Sequence, residues 1–426
     1  MTRSARIAIA MVLVAGLAGG GATCAFAQQP EESALEADHA FRAYIESLWP
    51  EARAGGISRP TFNRALAEIH VDWQVLERAK HQPEHEFAIG DYLARLASDA
   101  RIQTGRELLE KHATAFSSIE AAYGVDRHIL AAIWGIESNF GAGMGEHGVI
   151  RALGMLAWKG ERRAAFGKEQ LIAALRIVER GDIEPSRMLG SWAGAMGHTQ
   201  FIPTTYSQHA VDFDKDGRRD IWGTIADALA STANYLKISG WRTGLTWGVE
   251  VAMPVNLDDS LIDREMPIRE WQRRSIATAR GDAEPLTAGD RGAIARLLVP
   301  AGASGPAFLV TGNFRAILKY NNATSYALAV GHLADRLAGG TGFVRPWPVN
   351  DRPLRRRERE EMQGLLLAQG YYKGDVDGLL GEQTKAALMA WQRQMGVVVD
   401  GYASDRMLRL LRGEAAMAES GPVEAP

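Results

Sequence analysis

Cysteine is almost absent from this 426-residue sequence, because Cys24 is the only one. It lies in an N-terminal segment where two arginines precede an apolar run and Ala25-Phe26-Ala27 forms a small-x-small site. This pattern predicts a secretory signal peptide over residues 1–27, whose apolar run is too short and too early for a spanning helix. Cleavage after Ala27 would leave a chain without any disulfide, which packing alone has to stabilise.

A competing interpretation makes Cys24 the lipid-modified residue of a lipoprotein. The residues before it, Ala22-Thr23, are a poor context for lipidation, so we favour cleavage after Ala27.

A strong net charge is also lacking. The formal charge of the whole chain is −3, and removal of the two basic residues of the leader changes it to −5. Nothing in this charge balance suggests attraction to a polyanion, so we expect no nucleic-acid partner. The length and a hydrophobic content of 46% allow two or three globular domains with a large core.

One apolar segment carries the strongest functional signal. Asp126 is a candidate N-cap, and the run from Ile129 to Ile136 predicts a helix buried in the interior. Glu137 is the only acid of this helix after the cap, and it lies where the helix reaches its polar C-terminal end. Burial raises the pKa of a carboxyl group, so Glu137 could hold and donate a proton near neutral pH, as cleavage of a glycosidic bond requires. The alternative is a glutamate that only hydrogen-bonds to the turn.

Two later segments combine aromatic and hydrogen-bonding side chains. The segment 190–206 contains small residues, aromatics and Gln200, and a second one follows with Tyr320, Asn321 and Tyr326. Such a mixture suits a groove that accepts sugar rings, because aromatic faces pack on apolar surfaces while amides and hydroxyls bind polar substituents. A plain helix-loop-helix core would also explain the small residues.

An acidic loop follows the first of these segments. Asp212, Asp214 and Asp216 alternate, and Gly217 occupies the sixth position, as at the start of an EF-hand calcium loop. The twelfth position is Gly223 instead of a glutamate, and Asp227 lies one helical turn further on. Two interpretations stay open, a structural calcium site and an acidic turn held by Asx hydrogen bonds alone.

The C-terminal part of the chain is organised differently. Residues 341–353 are rich in glycine and proline and predict a linker. Beyond it, Val376-Asp377-Gly378 recurs as Val399-Asp400-Gly401, each followed by a helical pattern. The pair predicts one compact three-helix module over residues 354–413, without a catalytic constellation and therefore a binding domain. Residues 414–426 are small and acidic, and we expect a disordered tail.

Several separated motifs now resemble one family. They are 133–141 around Glu137, 196–203, 211–214, and Tyr320-Asn321 with Tyr326-Ala327. Together they resemble the membrane-bound lytic transglycosylase B group of peptidoglycan-cleaving enzymes, glycoside hydrolase family 103. The module around the paired Val-Asp-Gly turns resembles the peptidoglycan-binding type 1 domain.

The resemblance implies a fold and a set of site residues. We expect a mainly α (α+β) protein, with a lysozyme-like helical catalytic domain over residues 31–340 that carries a small strand-containing insertion. The small three-helix module would follow. Glu137 would be the single catalytic acid and base. The residues expected to bind glycan are Ser138, Ser191, Gln200, Tyr235, Tyr320, Asn321 and Tyr326, and those expected to bind calcium are Asp212, Asp214, Asp216 and Asp227.

The implied reaction cleaves the β-1,4 bond between N-acetylmuramic acid and N-acetylglucosamine and forms 1,6-anhydro-N-acetylmuramic acid, with no cofactor in catalysis. Two alternatives remain, a hydrolytic lysozyme-type muramidase and a non-catalytic wall-binding protein. The expected partners are peptidoglycan glycan strands, with cell-wall synthesis or division proteins as further candidates. We expect a monomer in the periplasm of a Gram-negative bacterium.

Overall fold

A computed structural model describes residues 31–67, 69–80, 87–254, 258–281, 292–349 and 352–414, with the side chains of 31–33 left out. The predicted signal peptide with Cys24, and the predicted tail beyond residue 414, lie outside the described residues. No helix in these ranges is long and apolar enough to cross a membrane.

The described chain is mainly helical, which confirms the predicted fold class. Its α-helices are α1 Glu31–Ser47, α2 Trp49–Ala54, α3 Arg59–Leu66, α4 Trp73–Lys80, α5 Ile89–Leu96, α6 Asp99–Lys111, α7 Ala113–Tyr123, α8 Arg127–Ser138, α9 Val149–Lys159, α10 Ala164–Glu179, α11 Pro203–His209, α12 Ile225–Ile238, α13 Ile268–Arg273, α14 Gly312–Tyr320, α15 Thr324–Leu337, α16 Arg356–Ala368, α17 Glu382–Met395 and α18 Asp405–Leu411.

The strands form two small antiparallel sheets. In the first, β1 (His147–Gly148) pairs with β2 (Leu189–Gly190). The second has the order β4-β6-β7-β3-β5 and is the predicted strand-containing insertion. Its members are β3 Gly248–Ala252, β4 Glu265–Pro267, β5 Ala277–Thr278, β6 Ile294–Leu298 and β7 Ala307–Val310.

Four hydrophobic cores organise these elements. The first surrounds α8 and α15, and the second joins α1–α4 with α9–α11. The third lies on the five-stranded sheet, and the fourth holds α16–α18 together. Tyr320 packs against both the first and the second core, so a seam between these two cores runs through the helical domain.

Helix α8 lies inside the first core for its whole apolar length. The Asp126 carboxylate accepts a hydrogen bond from the His128 N–H at 2.7 Å, which caps the helix as predicted. Every residue from Ile129 to Ser138 is buried. The helix ends at Ser138, and the next two residues, Asn139 and Phe140, have left-handed backbones with φ of 49° and 59°. A bulky residue with positive φ is strained, and such strain is characteristic of functional sites.

The C-terminal module has the three predicted helices, and contacts connect it to the rest of the chain. Arg393 forms a two-point ion pair with Asp259 of the sheet insertion, at 2.8 and 2.9 Å, and Lys385 pairs with Asp263. In the preceding segment, the Glu250 carboxylate accepts hydrogen bonds from the Val344 and Arg345 N–H groups. The domain boundaries given by the sequence stay predictions.

Close packing of α9 on α10 generates a test of the second core. A Cβ atom added to Gly167 on α10 would lie 2.5 Å from the backbone nitrogen of Ala157 on α9. Gly167→Ala should therefore force the helices apart and lower the free energy of unfolding by about 1–3 kcal/mol. Denaturant unfolding followed by circular dichroism measures this change.

Gly364 on α16 is the matched control, because no atom lies within 4 Å of its added Cβ. Gly364→Ala should stabilise the module by roughly 0.5–1 kcal/mol, through the better helix propensity of alanine. Equal effects of the two substitutions would show that the α9–α10 contact is not tightly packed.

Candidate active site

Glu137 occupies the last turn of α8, at the seam between the first two cores. Its side chain is only 7% exposed. The Tyr326 hydroxyl on α15 donates a hydrogen bond of 2.6 Å to Glu137 Oε1. Since α15 packs along α8 in the first core, this contact depends on the helix pair and not on a local turn.

Burial raises the pKa of the Glu137 carboxyl to about 7, while the hydrogen bond from Tyr326 acts in the opposite direction. The carboxyl therefore titrates near neutral pH. Such a group is able both to donate and to accept a proton at physiological pH, which is the property required of a general acid that later acts as a base.

Three tyrosines surround this carboxyl group. Burial and the negative charge of Glu137 raise the pKa of Tyr92 to about 12, and raise the pKa values of Tyr320 and Tyr326 well above the ordinary phenol. All three phenols remain protonated at neutral pH and can act as hydrogen-bond donors. The sequence did not indicate that Tyr92 lies near Glu137, since no motif links residues 45 positions apart.

A groove of about 710 Å³ opens beside Glu137. Four of the predicted glycan-binding residues line it: Gln200, Tyr235, Tyr320 and Asn321. Tyr235 and Tyr320 pack edge to face with their ring centres 5.2 Å apart, and their hydroxyls donate to the carbonyls of Lys319 and Thr199. The rings therefore stand as a fixed wall of the groove.

Amide side chains supply the polar part of the groove. Gln200 has a left-handed backbone, with φ of 54°, and its amide nitrogen donates to the carbonyls of Met144 and Gly197. Its amide oxygen is buried and has no hydrogen-bond partner among the described residues, and the same holds for Oδ1 of Asn321. Buried acceptors of this kind are costly without a donor. A ligand with N–H or O–H groups would satisfy them after a small side-chain adjustment.

The remaining three predicted glycan contacts lie elsewhere. Tyr326 is almost fully buried behind Glu137 and is not part of the groove lining. The Ser138 hydroxyl is buried, donates to the His198 carbonyl at 2.6 Å and accepts from the Gly141 N–H. The Ser191 hydroxyl accepts hydrogen bonds from the Ala193 and Ala195 N–H groups. The geometry gives these three residues positioning contacts, and their roles in binding glycan stay predictions.

His198 is a further residue that the sequence analysis did not identify. Its Nδ1 accepts a hydrogen bond of 3.0 Å from the Trp134 indole N–H, and its carbonyl accepts from Ser138. Burial lowers the pKa of His198, so the ring is neutral and can accept that bond. These contacts join the end of α8 to the loop that carries Gln200. Neither residue type nor spacing in the sequence indicated this pair.

Glu137 is the only carboxylate among the described residues that line the groove. Glu146, the nearest acid in the chain, is exposed. Glycosidases that use two carboxylates place both of them at the scissile bond. The described lining of the groove therefore contains one carboxyl group, and the catalytic role of Glu137 stays a prediction.

The acidic loop forms a separate cluster ahead of α12. Three carboxylate oxygens, one from each of Asp212, Asp214 and Asp227, lie within 4.8 Å of one another. Asp216 is not part of this group, although its N–H binds the carboxylates of both Asp212 and Asp214. Burial raises the pKa of the Asp227 carboxyl to about 6, while N–H groups of the loop counteract this effect. Three hard oxygen donors at this separation fit a calcium ion.

Two family models match this chain. Residues 40–335 match the transglycosylase SLT domain, and residues 355–411 match a peptidoglycan binding domain. Among curated proteins, the chain is 30% identical over 247 residues to the membrane-bound lytic murein transglycosylase B of Escherichia coli. That match covers 58% of this chain and 66% of the relative, so it spans just under two thirds of that protein.

Solved structures are similar along more of the chain. SltB3 of Pseudomonas aeruginosa, in complex with NAG-anhNAM-pentapeptide, is 48% identical, with a TM-score of 0.84 over 87% of this chain and 99% of that one. Slt35 of Escherichia coli, in complex with calcium, is 26% identical, with a TM-score of 0.58 over 71% and 93% of the two chains.

The contact between Tyr326 and Glu137 generates a direct test. Tyr326→Phe removes a donor that stabilises the carboxylate, so the pKa of Glu137 should rise by about one pH unit. Difference infrared spectra of each protein against its Glu137→Gln counterpart, recorded across pH, isolate this carboxyl band.

Tyr92→Phe is the matched control, because burial is the main cause of the raised Tyr92 pKa and no hydrogen bond to Glu137 is present. This variant should leave the midpoint of the titration within a few tenths of the wild-type value. An unchanged midpoint in Tyr326→Phe would contradict the assigned hydrogen bond.

Proposed function

The chain belongs to the transglycosylase SLT domain family, and we propose that it is a lytic transglycosylase that cleaves the β-1,4 bond between N-acetylmuramic acid and N-acetylglucosamine in peptidoglycan. The products carry 1,6-anhydro-N-acetylmuramic acid ends. The observation that carries this proposal is the solitary, buried carboxyl of Glu137 beside the groove, with a pKa near neutrality.

In the first step Glu137 acts as the acid. Its carboxyl proton moves to the glycosidic oxygen, the bond from that oxygen to C1 of muramic acid breaks, and the N-acetyl group of the same sugar supports the positive charge that develops at C1. The proton is available because burial holds the pKa of Glu137 close to the operating pH. Tyr326 orients the carboxyl through its hydrogen bond.

In the second step the Glu137 carboxylate acts as the base. It removes the proton from the C6 hydroxyl of muramic acid, and O6 bonds to C1 to close the 1,6-anhydro ring. Glu137 recovers its proton, and no water is consumed. Because nucleophile and electrophile belong to one sugar, the attack gains the advantage of intramolecularity, on the order of 7–11 kcal/mol. The C6 hydroxyl of the substrate, as an internal nucleophile, thus takes the place of the second carboxylate that two-acid glycosidases use.

The aromatic wall and the two amides of the groove would hold the glycan strand. Tyr235 and Tyr320 offer ring faces and edges to the apolar sides of sugars, while Gln200 and Asn321 offer carbonyl oxygens to N-acetyl N–H groups and hydroxyls. The relative SltB3 was solved with glycan fragments that carry a pentapeptide, which supports this substrate class.

The C-terminal module would add affinity for the same polymer, in line with its match to a peptidoglycan binding domain. We place the protein in the periplasm of a Gram-negative bacterium, where peptidoglycan is accessible, because the N-terminal segment has the pattern of a secretory signal. A monomer suffices for the chemistry, and recruitment by cell-wall synthesis or division proteins is part of the proposal.

Product analysis of purified sacculi tests the chemistry. Wild type should release muropeptides that end in anhydro-muramic acid, each lighter by one water than the hydrolytic product, as detected by mass spectrometry. Glu137→Gln should lower the rate by at least about 10²-fold, because the acid is lost while the groove stays intact. Glu146→Gln, an exposed acid outside the groove, is the control and should retain activity.

Each alternative has its own signature in this experiment. Reducing-end muramic acid would identify a lysozyme-type muramidase. Release of no muropeptides by wild type, with binding to sacculi retained, would identify a non-catalytic wall-binding protein.

We also propose a structural calcium ion at the acidic loop, bound by Asp212, Asp214 and Asp227. The loop leads into α12, which carries Tyr235 to the groove, so the ion would stiffen the groove from behind without taking part in catalysis. Slt35, which was solved with calcium, supports this proposal. Asp216, also expected from the sequence as a ligand, is left out of the proposed set because its carboxylate is not in this group, while its N–H binds the carboxylates of Asp212 and Asp214.

A thermal-shift titration tests this ligand set. Calcium at about 100 times its dissociation constant should stabilise the metal-stripped protein by about 2.7 kcal/mol and raise its melting temperature. Asp214→Asn should abolish most of this shift, whereas Asp216→Asn should retain it. No shift in wild type, or equal losses in both variants, would contradict the three-carboxylate site.

A further inference from the structure

The C-terminal module repeats one turn, and a buried glutamine holds each copy. In the first turn, residues 376–380, Gln363 on α16 accepts a hydrogen bond from the Gly378 N–H at 2.7 Å and donates to Asp377 Oδ1 at 3.1 Å. The same Oδ1 accepts from the Leu379 N–H at 2.8 Å. These bonds use one oxygen of Asp377 to build the turn.

The second turn, residues 399–403, has the same bonds. Gln392 on α17 accepts from the Gly401 N–H at 2.9 Å and donates to Asp400 Oδ1 at 2.8 Å. This Oδ1 also accepts from the Tyr402 N–H at 2.9 Å. The recurrence of Val-Asp-Gly in the sequence is therefore a recurrence of one hydrogen-bonded geometry, which leaves the second carboxylate oxygen pointing out of the turn.

The outer oxygen of the second turn binds a peptide of the protein itself. Asp400 Oδ2 accepts a hydrogen bond of 2.9 Å from the Ala303 N–H of the sheet insertion. The preceding residue is Gly302, where an added Cβ would lie 2.5 Å from this oxygen and 3.0 Å from Tyr402 Cβ. The second turn thus accepts a backbone amide between small residues, close against the side chain that follows its glycine.

The first turn has no such contact: among the described residues Asp377 accepts no hydrogen bond from outside the module, and the nearby charge of Arg356 acts on its carboxylate. Asp377 is exposed, and hydrogen bonds from Leu379 and Gln363 lower the pKa of its carboxyl, so it is an anion at neutral pH. The exposed side chains of this turn are aliphatic: Leu379, in the place of Tyr402, is 69% exposed, and Val376 and Leu380 are also exposed. The stems of Arg356 and Glu360 pack against Gly378 beside them. In the second turn the aspartate contacts the sheet insertion, whereas in the first turn the corresponding aspartate is exposed to solvent.

We propose that the first turn is the ligand site of the module and that it binds the short peptides attached to peptidoglycan. Asp377 Oδ2 would accept an amide N–H of the stem peptide, as Asp400 Oδ2 accepts that of Ala303. Leu379 and its aliphatic neighbours would contact a methyl-sized side chain. The inference rests on the proposed peptidoglycan binding of the module and deepens it.

The flanking chemistry favours a peptide over the sugar strand. Sugar sites in proteins use aromatic faces, which the catalytic groove supplies with Tyr235 and Tyr320. The first turn exposes aliphatic side chains with Arg356 and Glu360 beside them and no aromatic ring, and its twin binds the backbone amide of Ala303, next to Gly302. Two sites with different chemistry would let one chain bind the glycan in the groove and the peptide at the module.

Binding measurements on the full chain test this site. All variants carry Glu137→Gln, so that sacculi stay intact. Asp377→Asn keeps an oxygen for the inner bonds and replaces the outer acceptor by an N–H donor. It should weaken binding to a fluorescent stem pentapeptide by about tenfold or more, because a charge-assisted hydrogen bond becomes a donor–donor contact. Leu379→Ser, at an exposed position, should also weaken binding without unfolding the module.

Asp400→Asn is the matched control, since it makes the same change in the docked turn. It should leave peptide affinity within about twofold while weakening the contact with the sheet insertion. Circular dichroism melting curves verify folding of each variant.

The last part of the experiment measures binding of the same variants to sacculi whose peptides an amidase has removed. A loss of affinity in Asp377→Asn that is as large on stripped as on intact sacculi, or no effect of Asp377→Asn and Leu379→Ser on peptide binding, would overturn the peptide site while peptidoglycan binding itself stands. If the parent Glu137→Gln chain binds neither intact sacculi nor peptide, the proposed role of the module fails as well. The proposed catalytic function is tested separately, by the products that wild type releases from sacculi.

Discussion

The hydrogen bond between the Tyr326 hydroxyl and the Glu137 carboxyl is the interaction on which the site depends. A carboxyl group this deep in an apolar helix pair would be costly to ionise without a donor, and a donor without burial would leave it a permanent anion. The two effects oppose each other and bring the pKa to about 7. A group with this pKa is able to act as acid and as base in successive steps, as the proposed mechanism with a single carboxylate requires.

The architecture places this group where two cores meet. Helix α8 belongs to the first core, whereas the loop with Gln200 leads into the second, and Tyr320 contacts both. A seam between cores is a natural place for a groove, because each core is complete on its own side and neither fills the space between. The strained backbones at Phe140 and Gln200 lie on the two sides of this seam, where the surrounding packing holds them in place.

Outside the site, the protein reuses local geometry for different purposes. The two Asp-Gly turns of the module are built alike, yet one docks on the sheet insertion and the other faces solvent. The acidic loop has the Asx hydrogen bonds of one interpretation that its sequence left open, and calcium binding, the other interpretation, stays a proposal. Its carboxylates accept Asx-type hydrogen bonds and still converge closely enough to bind a cation. In each case the covalent motif sets the local shape, and its surroundings decide its use.

The sequence was sufficient for the features that depend on local order. The buried helix, its Asp126 cap, the solitary Glu137 at its end and the paired turns of the module all follow from spacing and composition, because helix periodicity and turn chemistry act over a few residues. The family resemblance followed for the same reason, since its motifs are short and contiguous. Four groove residues were also found, because each lies in a polar-aromatic segment or matches a family motif.

Only the tertiary structure decided where those residues lie and what they contact. In the folded chain Tyr326 lies behind Glu137 and not in the groove wall, and Tyr92 lies near the same carboxyl. The hydrogen bond from Ser138 to His198 joins the end of α8 to the loop with Gln200. It also separated Asp216 from the three converging carboxylates. These relations join residues that are far apart in the chain. They depend on how helices pack, which no local pattern encodes, because burial and hydrogen bonding are properties of the assembled cores.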